Sequence, residues 1–252
     1  MGVIDAALVG SLLGAGQVAE VFAYGDHVLK LYRRPEAKAS AFSEAAVLAA
    51  IADHALPVPR VHAVGQWRGR WGLVMDRADG APLAQVSPSG VALADGALEE
   101  MLALQQRIHA ITEVRLPSLH QRLRDRISRS DLAPDLRDRL VAQLAALPDG
   151  TRLCHGDFHP FNILGVPGKS MVVDWLDATS GPPAADVCRT HLLISRVAPD
   201  LADAYVAAYA AAAGLSRDEI LAWRPVLAAA RLAAEGVDAD ERQHLVAIAT
   251  EL

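Results

Sequence analysis

Residues 155–174 carry three oxygen-bearing side chains at a spacing that restricts both the local fold and the chemistry. The stretch runs H-G-D-F-H-P-F-N-I-L, then P-G-K at 167–169, then M-V-V-D-W. A P-G-K turn between two short apolar runs predicts a β-hairpin. Such a hairpin would bring Asn162 and Asp174 together at its open end, where two oxygen ligands suit a hard cation such as Mg²⁺. Asp157, just before them, would then be available to accept a hydroxyl proton.

A hydrolytic metal site is an alternative interpretation of the same stretch, because imidazole and carboxylate together suit zinc, manganese or iron. Its ligands would be the histidines and aspartates of the stretch, namely His155, Asp157, His159, Asp174 and Asp177. The two hypotheses differ in whether the rest of the chain provides a nucleotide site.

Composition and charge argue against several classes of protein. The 252-residue chain is 52% hydrophobic, enough to bury one large core or two smaller ones. A formal net charge of −6 argues against a nucleic-acid binder, which usually has a basic surplus. No apolar run approaches the roughly 20 residues of a membrane span, and no export signal is recognised at the N-terminus. Cys154 and Cys188 lack metal-ligand spacing, so both are predicted core residues of a cytoplasmic protein.

The pattern along the chain predicts a small sheet-rich part followed by a larger helical part. Strand-like runs flank a turn at Gly25–Asp26, and further strands are predicted at 61–67 and 71–75. A helix is predicted from Pro35 to Asp53. After Gly80, alanine- and leucine-rich sequence predicts helices at 91–111, 118–129, 134–146, 183–196, 199–213, 216–234 and 238–250.

The sheet-rich part contains the candidate nucleotide site. Gly14 and Gly16 would let backbone N–H groups approach phosphate oxygens, although a plain turn also explains them. The sequence around them lacks the ending of a Walker loop and the strand-to-helix context of a dinucleotide fold. Lys30 interrupts the apolar run V-L-K-L-Y, either as an outward-facing strand residue or as a phosphate ligand. Glu44, on the following helix, would then be its ion-pair partner or a solvated helix residue.

These pieces occur in the order found in one known family. The segments G-A-G-Q-V-A-E-V, V-L-K-L, the helix with Glu44, L-V-M-D-R-A-D-G and H-G-D-F-H-P-F-N-I-L…V-V-D-W resemble motifs of the aminoglycoside phosphotransferase and choline kinase superfamily. The resemblance implies an α+β, bilobal, protein-kinase-like fold with a small antiparallel β-sheet N-lobe carrying one helix and a larger, mainly helical C-lobe. The nucleotide-binding lobe would span 1–78, and the catalytic and acceptor-binding lobe would span 79–252.

The resemblance further implies an ATP- or GTP-dependent kinase of a small molecule. Asp157 would orient and deprotonate the acceptor hydroxyl. Asn162 and Asp174 would hold Mg²⁺ on the nucleotide phosphates. Lys30, paired with Glu44, would bind the α- and β-phosphates.

The other residues implied by the resemblance position the nucleotide and the catalytic loop. The Gly14–Gly16 segment would cover the phosphates, while the Asp76 carbonyl and the Ala78 amide would hydrogen-bond adenine. His155 would brace the catalytic loop. Asp186 would hold that loop by accepting backbone hydrogen bonds, although a carboxylate in the first turn of a helix is also favoured by the helix dipole.

The chain departs from the family pattern in two respects. Many relatives carry an acidic residue two positions after the metal aspartate, and Leu176 occupies that position here. Asp177 follows it, so the number of metal ions, one or two, stays open. The chain is also short for the family, which leaves little room for insertions in the C-terminal helices where acceptor specificity usually lies.

The short segment between Asp174 and the helix predicted near Pro183 favours a small acceptor, because a protein kinase needs a longer one to present a peptide. That acceptor would be an antibiotic, as in antibiotic resistance, or a metabolite such as an amino alcohol or sugar. Residues 198–252 contain nine carboxylates against four arginines, either an acidic rim that attracts a polyamine or an ordinary solvated surface. A minimal protein kinase and a non-catalytic nucleotide-binding regulator are the alternative functions, and the oligomeric state stays open.

Overall fold

The computed structural model describes residues 4–87, 90–234 and 236–251. Its fold is α+β, with a five-stranded antiparallel sheet in the N-terminal part and helices in the C-terminal part, as predicted. Among the described residues, no helix is both long enough and apolar enough to cross a membrane.

The chain divides into two compact units, and the first is assembled from two segments. It contains the residues up to Leu83 together with Phe161–Asp177. The second unit contains Ala84–Pro160 together with the chain from Ala178 onward. The hairpin that follows the H-G-D motif therefore packs with the N-terminal sheet, whereas the motif itself belongs to the helical unit.

One sheet organises the first unit. Its strands are β1 (Val9–Ala15), β2 (Ala19–Tyr24), β3 (His27–Tyr32), β4 (Val61–Trp67) and β5 (Arg70–Asp76). They lie in the order β1-β2-β3-β5-β4, and every neighbouring pair is antiparallel. The single helix α1 (Lys38–Ile51) connects β3 to β4.

Tight turns set the register of the sheet. Tyr24 pairs with His27 across the predicted Gly25–Asp26 turn. Arg68 and Gly69 join β4 to β5 with φ angles of 51° and 74°. Two-residue turns with positive φ at both central positions match the right-handed twist of the flanking strands.

Gly72 allows the two central strands to approach each other. A Cβ atom added at Gly72 would lie 2.5 Å from the Lys30 carbonyl oxygen and 3.2 Å from Leu31 Cα. Only a residue without a side chain fits there, so this glycine holds the middle of β5 against the middle of β3.

The core on one side of the sheet includes α1. Tyr32, Ala41, Trp71 and Leu73 form a buried cluster, and the partly buried Leu176 packs against it. Leu176 therefore contributes an apolar contact to this core rather than a polar side chain.

Several elements differ from the prediction, beginning with strands in the N-terminal half of the chain. Strand β1 was not predicted, because it is an edge strand with mostly exposed residues, two glycines and two register shifts that hide any alternation. A hairpin of β6 (Ala84–Ser87) and β7 (Gly90–Leu93) replaces the start of the helix predicted at 91–111. That helix, α2 (Ala97–His109), begins only after Gly96, which has a φ of 73°.

The second unit is mainly helical. Besides α2 it contains α3 (Leu119–Arg129), α4 (Pro134–Ala146), α5 (Pro183–Ile194), α6 (Pro199–Ala213), α7 (Arg217–Leu221), α8 (Arg224–Leu232) and α9 (Ala239–Ala249). The predicted helix at 216–234 is therefore two helices, because Pro225 cannot donate a backbone hydrogen bond and starts α8 afresh. Cys154 and Cys188 are buried, as predicted, and both are free thiols.

Two short strand pairs involve the residues that precede and follow the H-G-D motif in the sequence. In the helical unit, β8 (Arg152–Cys154) pairs with β11 (Thr179–Gly181). In the sheet unit, β9 (Ile163–Leu164) pairs with β10 (Met171–Val172), which is the hairpin predicted from the P-G-K turn. The Val173 N–H donates to the Asn162 carbonyl at 2.9 Å and extends this hairpin toward its open end.

Candidate active site

One group of the predicted site residues is a buried ion cluster around Lys30, within the sheet unit. The Lys30 Nζ atom lies 2.8 Å from Glu44 Oε1 and 2.8 Å from Asp174 Oδ1. Lys30 is 4% exposed and Glu44 is 1% exposed. Both residues are thus buried, which excludes the interpretation of Lys30 as an outward-facing strand residue and of Glu44 as a solvated helix residue.

The surroundings of Lys30 keep it charged. Burial alone would lower the pKa of this ammonium, but the carboxylates of Glu44 and Asp174 outweigh burial and raise the pKa above its ordinary value. Glu44 also accepts hydrogen bonds from the Tyr32 hydroxyl and the Trp175 backbone N–H. Burial first, and then Glu44, raises the pKa of Tyr32, so its hydroxyl stays a donor.

Asp174 occupies a strained backbone position just after β10. Its φ of 66° is uncommon for a residue other than glycine, and such positions often accompany functional sites. The next residue, Trp175, is fully buried, and its indole Nε1 donates to the Val172 carbonyl at 2.9 Å. Trp175 therefore belongs to the core and anchors Asp174, whose side chain remains 34% exposed.

The glycine segment is open on the side of its missing side chains. A Cβ atom at Gly14 would meet no protein atom within 4 Å, and one at Gly16 would meet only the Ala19 carbonyl oxygen, at 3.6 Å. Gly14 lies near the end of β1. Gly16 follows that strand, and its N–H donates to the Ala19 carbonyl. The protein's own packing thus does not demand glycine at position 14.

The connector after β5 is organised by the Asp76 side chain. This carboxylate accepts the Arg60 backbone N–H at 3.1 Å and lies 2.6 Å from His62 Nε2, and the His62 ring stacks on His27 with centroids 4.1 Å apart. Burial would raise the pKa of Asp76, but His62 and the Arg60 N–H hold it below its ordinary value. Within the part of the chain that the structure describes, the Ala78 N–H has no acceptor.

Asp157, the predicted base, lies within the helical unit. Its Oδ2 lies 3.5 Å from His159 Nε2, and its Oδ1 lies 3.7 Å from an Arg189 Nη2. Burial would raise the pKa of this carboxyl, but the hydrogen bond and charge of His159, then Arg189 and His155, hold it well below its usual range. Asp157 is therefore ionised at neutral pH, and its side chain is 27% exposed.

Asp186, in the first turn of α5, holds the backbone before Asp157. Its Oδ2 accepts the His155 N–H at 3.0 Å, and its Oδ1 accepts the Gly156 N–H at 2.7 Å. The buried His155 side chain accepts the Asp157 N–H through Nδ1 at 3.2 Å. The structure thus gives His155 and Asp186 contacts that fix the loop carrying Asp157.

Three residues of this network were not singled out from the sequence. Gln105 Nε2 and His109 Nε2 each lie 3.0 Å from Asp186 Oδ2. Burial would raise the pKa of Asp186, but the hydrogen bond and charge of His109, then the charge of His155 and the Gly156 N–H, lower it to about 2. Arg189 could have been found, because it lies three residues after Asp186 on the same helical face. Gln105 and His109 lie on a distant helix and leave no such signal.

The alternative hydrolytic metal site conflicts with these contacts. His155 is fully buried and its Nδ1 already accepts the Asp157 N–H, so this atom is not available to a metal ion. Asp174 is ion-paired to Lys30, and a hydrolytic metal site does not require a lysine beside its carboxylate ligand. A metal site built from His155 and Asp174 is therefore disfavoured.

Comparisons with known proteins support the fold. A search of curated proteins gives no match. Solved structures with a similar fold include a thermostable mutant of aminoglycoside phosphotransferase APH(4)-Ia, 18% identical, covering 97% of this chain and 96% of that chain with a TM-score of 0.66. Choline kinase LicA from Streptococcus pneumoniae is 15% identical, covering 95% and 92% with a TM-score of 0.68. The amicoumacin kinase hAmiN is 16% identical, covering 98% and 88% with a TM-score of 0.65.

The family itself follows from a sequence match rather than from these distant folds. A family profile described as "Phosphotransferase enzyme family" matches residues 11–241, which is most of the chain. The matched region contains the Lys30 cluster, the H-G-D motif and Asp186. The chain therefore belongs to the phosphotransferase enzyme family.

Proposed function

We propose that this protein is a kinase that transfers the terminal phosphate of ATP or GTP to a hydroxyl group of a small molecule. The observation that carries the proposal is the buried Lys30 ammonium held between Glu44 and Asp174. A buried ion pair is weak support for stability, because desolvation offsets much of its Coulomb energy. A charged lysine oriented by two carboxylates suits the positioning of phosphates, which is the main demand of phosphoryl transfer.

The sheet unit would bind the nucleotide. Lys30 would contact the α- and β-phosphates, and the open backbone of the Gly14–Gly16 segment would cover them. The Asp76 carbonyl and the unbonded Ala78 N–H would pair with the purine. The names of two relatives support a nucleotide co-substrate, because one APH(4)-Ia structure holds ADP with hygromycin B and the hAmiN structure holds AMP-PNP.

The residues at the end of the hairpin fit a magnesium ion. Asp174 offers the oxygen that Lys30 does not occupy, and Asn162 offers its side-chain carbonyl oxygen. One carboxylate and one amide suit Mg²⁺, which keeps several waters and takes its other ligands from substrate phosphates. When bound, the ion would neutralise charge on the phosphates. Leu176, packed in the core, adds no ligand for a second ion.

Asp157 would act as the base in the helical unit. The acceptor oxygen would attack the terminal phosphorus while the bond from that phosphorus to the bridging oxygen breaks. The nucleoside diphosphate would leave with the electron pair of that bond, and the hydroxyl proton would pass to Asp157. A carboxylate with a low pKa can serve in this role, because the transition state is loose and the proton moves late.

A small acceptor is favoured over a peptide. Only a short segment joins Asp174 to α5, and three of its residues, Thr179–Gly181, are held in the β8–β11 pair. The relatives with similar folds include an aminoglycoside phosphotransferase bound to hygromycin B, a choline kinase and an amicoumacin kinase. Such a kinase consumes nucleoside triphosphates, which are available in the cytoplasm. The proposed function therefore includes a cytoplasmic location.

The test is a nucleotide-turnover screen with Mg²⁺ and either ATP or GTP over antibiotics, amino alcohols and sugars. We expect acceptor-dependent release of nucleoside diphosphate that Asp157→Asn reduces by about 10²–10⁴-fold. The same variant should retain the rise in thermal midpoint caused by Mg-nucleotide. Phosphate transfer to proteins alone would favour the protein-kinase alternative, and nucleotide binding without any turnover would favour a regulator.

A further inference from the structure

Three side chains that can bind a metal ion come together at one end of the N-terminal sheet, within the sheet unit. They are His27 at the start of β3, His62 near the start of β4 and Asp76 at the end of β5. Each offers one ligand atom, a ring nitrogen or a carboxylate oxygen, and the three atoms lie within 4.8 Å of one another. Because the ligands of a tetrahedral zinc ion lie about 3.4 Å apart, small side-chain rotations would bring these atoms to one shared ion.

The backbone of the sheet places these residues side by side. His27 and Asp76 are direct partners across β3 and β5. The register between β4 and β5 shifts between Val61 and Ala63, so His62 is the extra residue of a β-bulge. A bulge redirects a side chain from the ordinary alternation of its strand. Here the His62 ring stacks on the His27 ring, with ring centroids 4.1 Å apart.

The Asp76 carboxylate is oriented by a backbone donor. Its Oδ2 accepts the Arg60 N–H at 3.1 Å, and its Oδ1 lies 2.6 Å from His62 Nε2. Metal-binding carboxylates commonly have such an outer hydrogen bond, which fixes the direction of the ligand oxygen. A zinc ion that takes the place of the contact between Oδ1 and Nε2 leaves the neutral His62 ring with its proton on Nδ1.

The cluster has a free ligand and is open to water. Among residues 4–87, 90–234 and 236–251, no residue forms a hydrogen bond with the His27 ring. The side chains of His62 and Asp76 are 38% and 32% exposed. An ion can therefore enter directly from solvent and keep a water molecule as its fourth ligand, as zinc does in sites with three protein ligands.

This cluster is separate from the proposed magnesium site. Residues two apart on a strand share one face of the sheet, so His27 lies on the face of the core residues Leu29 and Leu31. Lys30 lies on the opposite face, where it contacts Asp174. Occupation of the cluster by a metal ion therefore does not depend on the proposed kinase function.

We propose that His27, His62 and Asp76 bind a zinc ion, with water as the fourth ligand. Two imidazoles and one carboxylate suit zinc, whereas magnesium prefers a set of oxygen ligands. The ion joins the ends of β3, β4 and β5, which meet only through backbone pairing and the His62–Asp76 contact. It thereby stabilises the sheet unit at the point where the connector after β5 begins.

Zinc titration of the protein without an affinity tag tests the site independently of any activity. In isothermal titration calorimetry with ZnCl₂ near neutral pH and in excess MgCl₂, we expect one zinc ion to bind with a Kd below about 100 µM. The same ZnCl₂ should raise the thermal midpoint, because the ion binds the folded protein. Weaker binding, or displacement of the zinc by magnesium, would overturn the proposal.

Glutamine variants provide the residue-level test, because glutamine keeps a polar side chain and is a poor zinc ligand. His27→Gln and His62→Gln should each weaken zinc binding at least about tenfold, and the double variant should lose the binding event. His244→Gln replaces an exposed histidine of α9 in the helical unit and serves as the matched control, with the zinc affinity of the parent.

His27→Gln removes no side-chain hydrogen bond of the described protein, so its thermal midpoint without zinc should stay close to that of the parent. This variant therefore tests the site even if the double variant does not fold. Unchanged zinc affinity in His27→Gln would show that the ion binds elsewhere and that His62 and Asp76 form a surface hydrogen bond only.

Discussion

The ammonium of Lys30 lies 2.8 Å from the carboxylate of Asp174, a residue 144 positions later in the sequence. Both residues belong to the unit built on the N-terminal sheet, because the hairpin after the H-G-D motif returns to that unit. The contact joins the proposed phosphate-binding lysine to the proposed magnesium ligand. The Lys30 cluster therefore bears on the stability of the fold as well as on kinase activity. The two effects can be measured separately.

Replacing Lys30 by methionine should affect stability and activity together. Glu44 would remain buried without a cation, so we expect the free energy of unfolding to fall by about 3 kcal/mol, measured by urea denaturation. Kinase activity should fall by at least about 100-fold, because a charge that orients the phosphates is lost.

The double variant Lys30→Met/Glu44→Gln separates the two effects. It removes the unpaired charge, so part of the lost stability should return while activity stays low. Recovery of activity along with stability would mean that Lys30 serves the fold and not the phosphates.

Much of the fold and several contacts were accessible from the sequence because they depend on local signals. The P-G-K turn between two apolar runs predicted the hairpin that leads to Asp174. Gly25–Asp26 predicted the turn between β2 and β3, and α3, α4, α5, α6, α7 and α9 begin within one residue of their predicted starts. Each of these signals lies within a few residues of the structure that it specifies.

The parts that could not be predicted depend on packing between distant segments. Strand β1 has no alternating pattern of its own and is defined by its pairing with β2. Gln105 and His109 reach Asp186 only because α2 packs beside the loop, and nothing in their sequence positions indicates a polar network.

The pH dependence of turnover should reflect the low pKa of Asp157. A carboxyl whose pKa is held below its ordinary value stays ionised, so Asp157 itself should impose no loss of kcat between about pH 7 and pH 5. His159 is the largest of the influences that lower this pKa, acting against burial. In His159→Gln we therefore expect the acid limb of the kcat profile to move to higher pH, and an unmoved limb would argue that the limb belongs to another group.

The stability of the protein at acid pH should depend on Asp186. Its pKa is lowered from 3.8 to about 2, where burial opposes the shift and the contact with His109 drives it. A lowered carboxyl pKa gives stability that is fully present above the unfolded-state pKa and is lost as pH falls from about 4 to about 2. Unfolding free energies measured over this range should fall by about 2 kcal/mol, less steeply in Asp186→Asn. An equally steep fall in that variant would assign the effect to other carboxylates.

Two glycines of the sheet unit should respond to alanine in opposite ways. A Cβ at Gly72 would lie 2.5 Å from the Lys30 carbonyl oxygen, so Gly72→Ala should lower the free energy of unfolding by about 2 kcal/mol. A Cβ at Gly14 would meet no protein atom within 4 Å, so Gly14→Ala should leave stability within about 0.5 kcal/mol of the parent. If the Gly14–Gly16 segment covers the nucleotide, Gly14→Ala should nevertheless raise the KM for ATP or GTP severalfold, because the new methyl group would hold phosphate oxygens away from the backbone. An unchanged nucleotide KM in this stable variant would place the phosphates elsewhere.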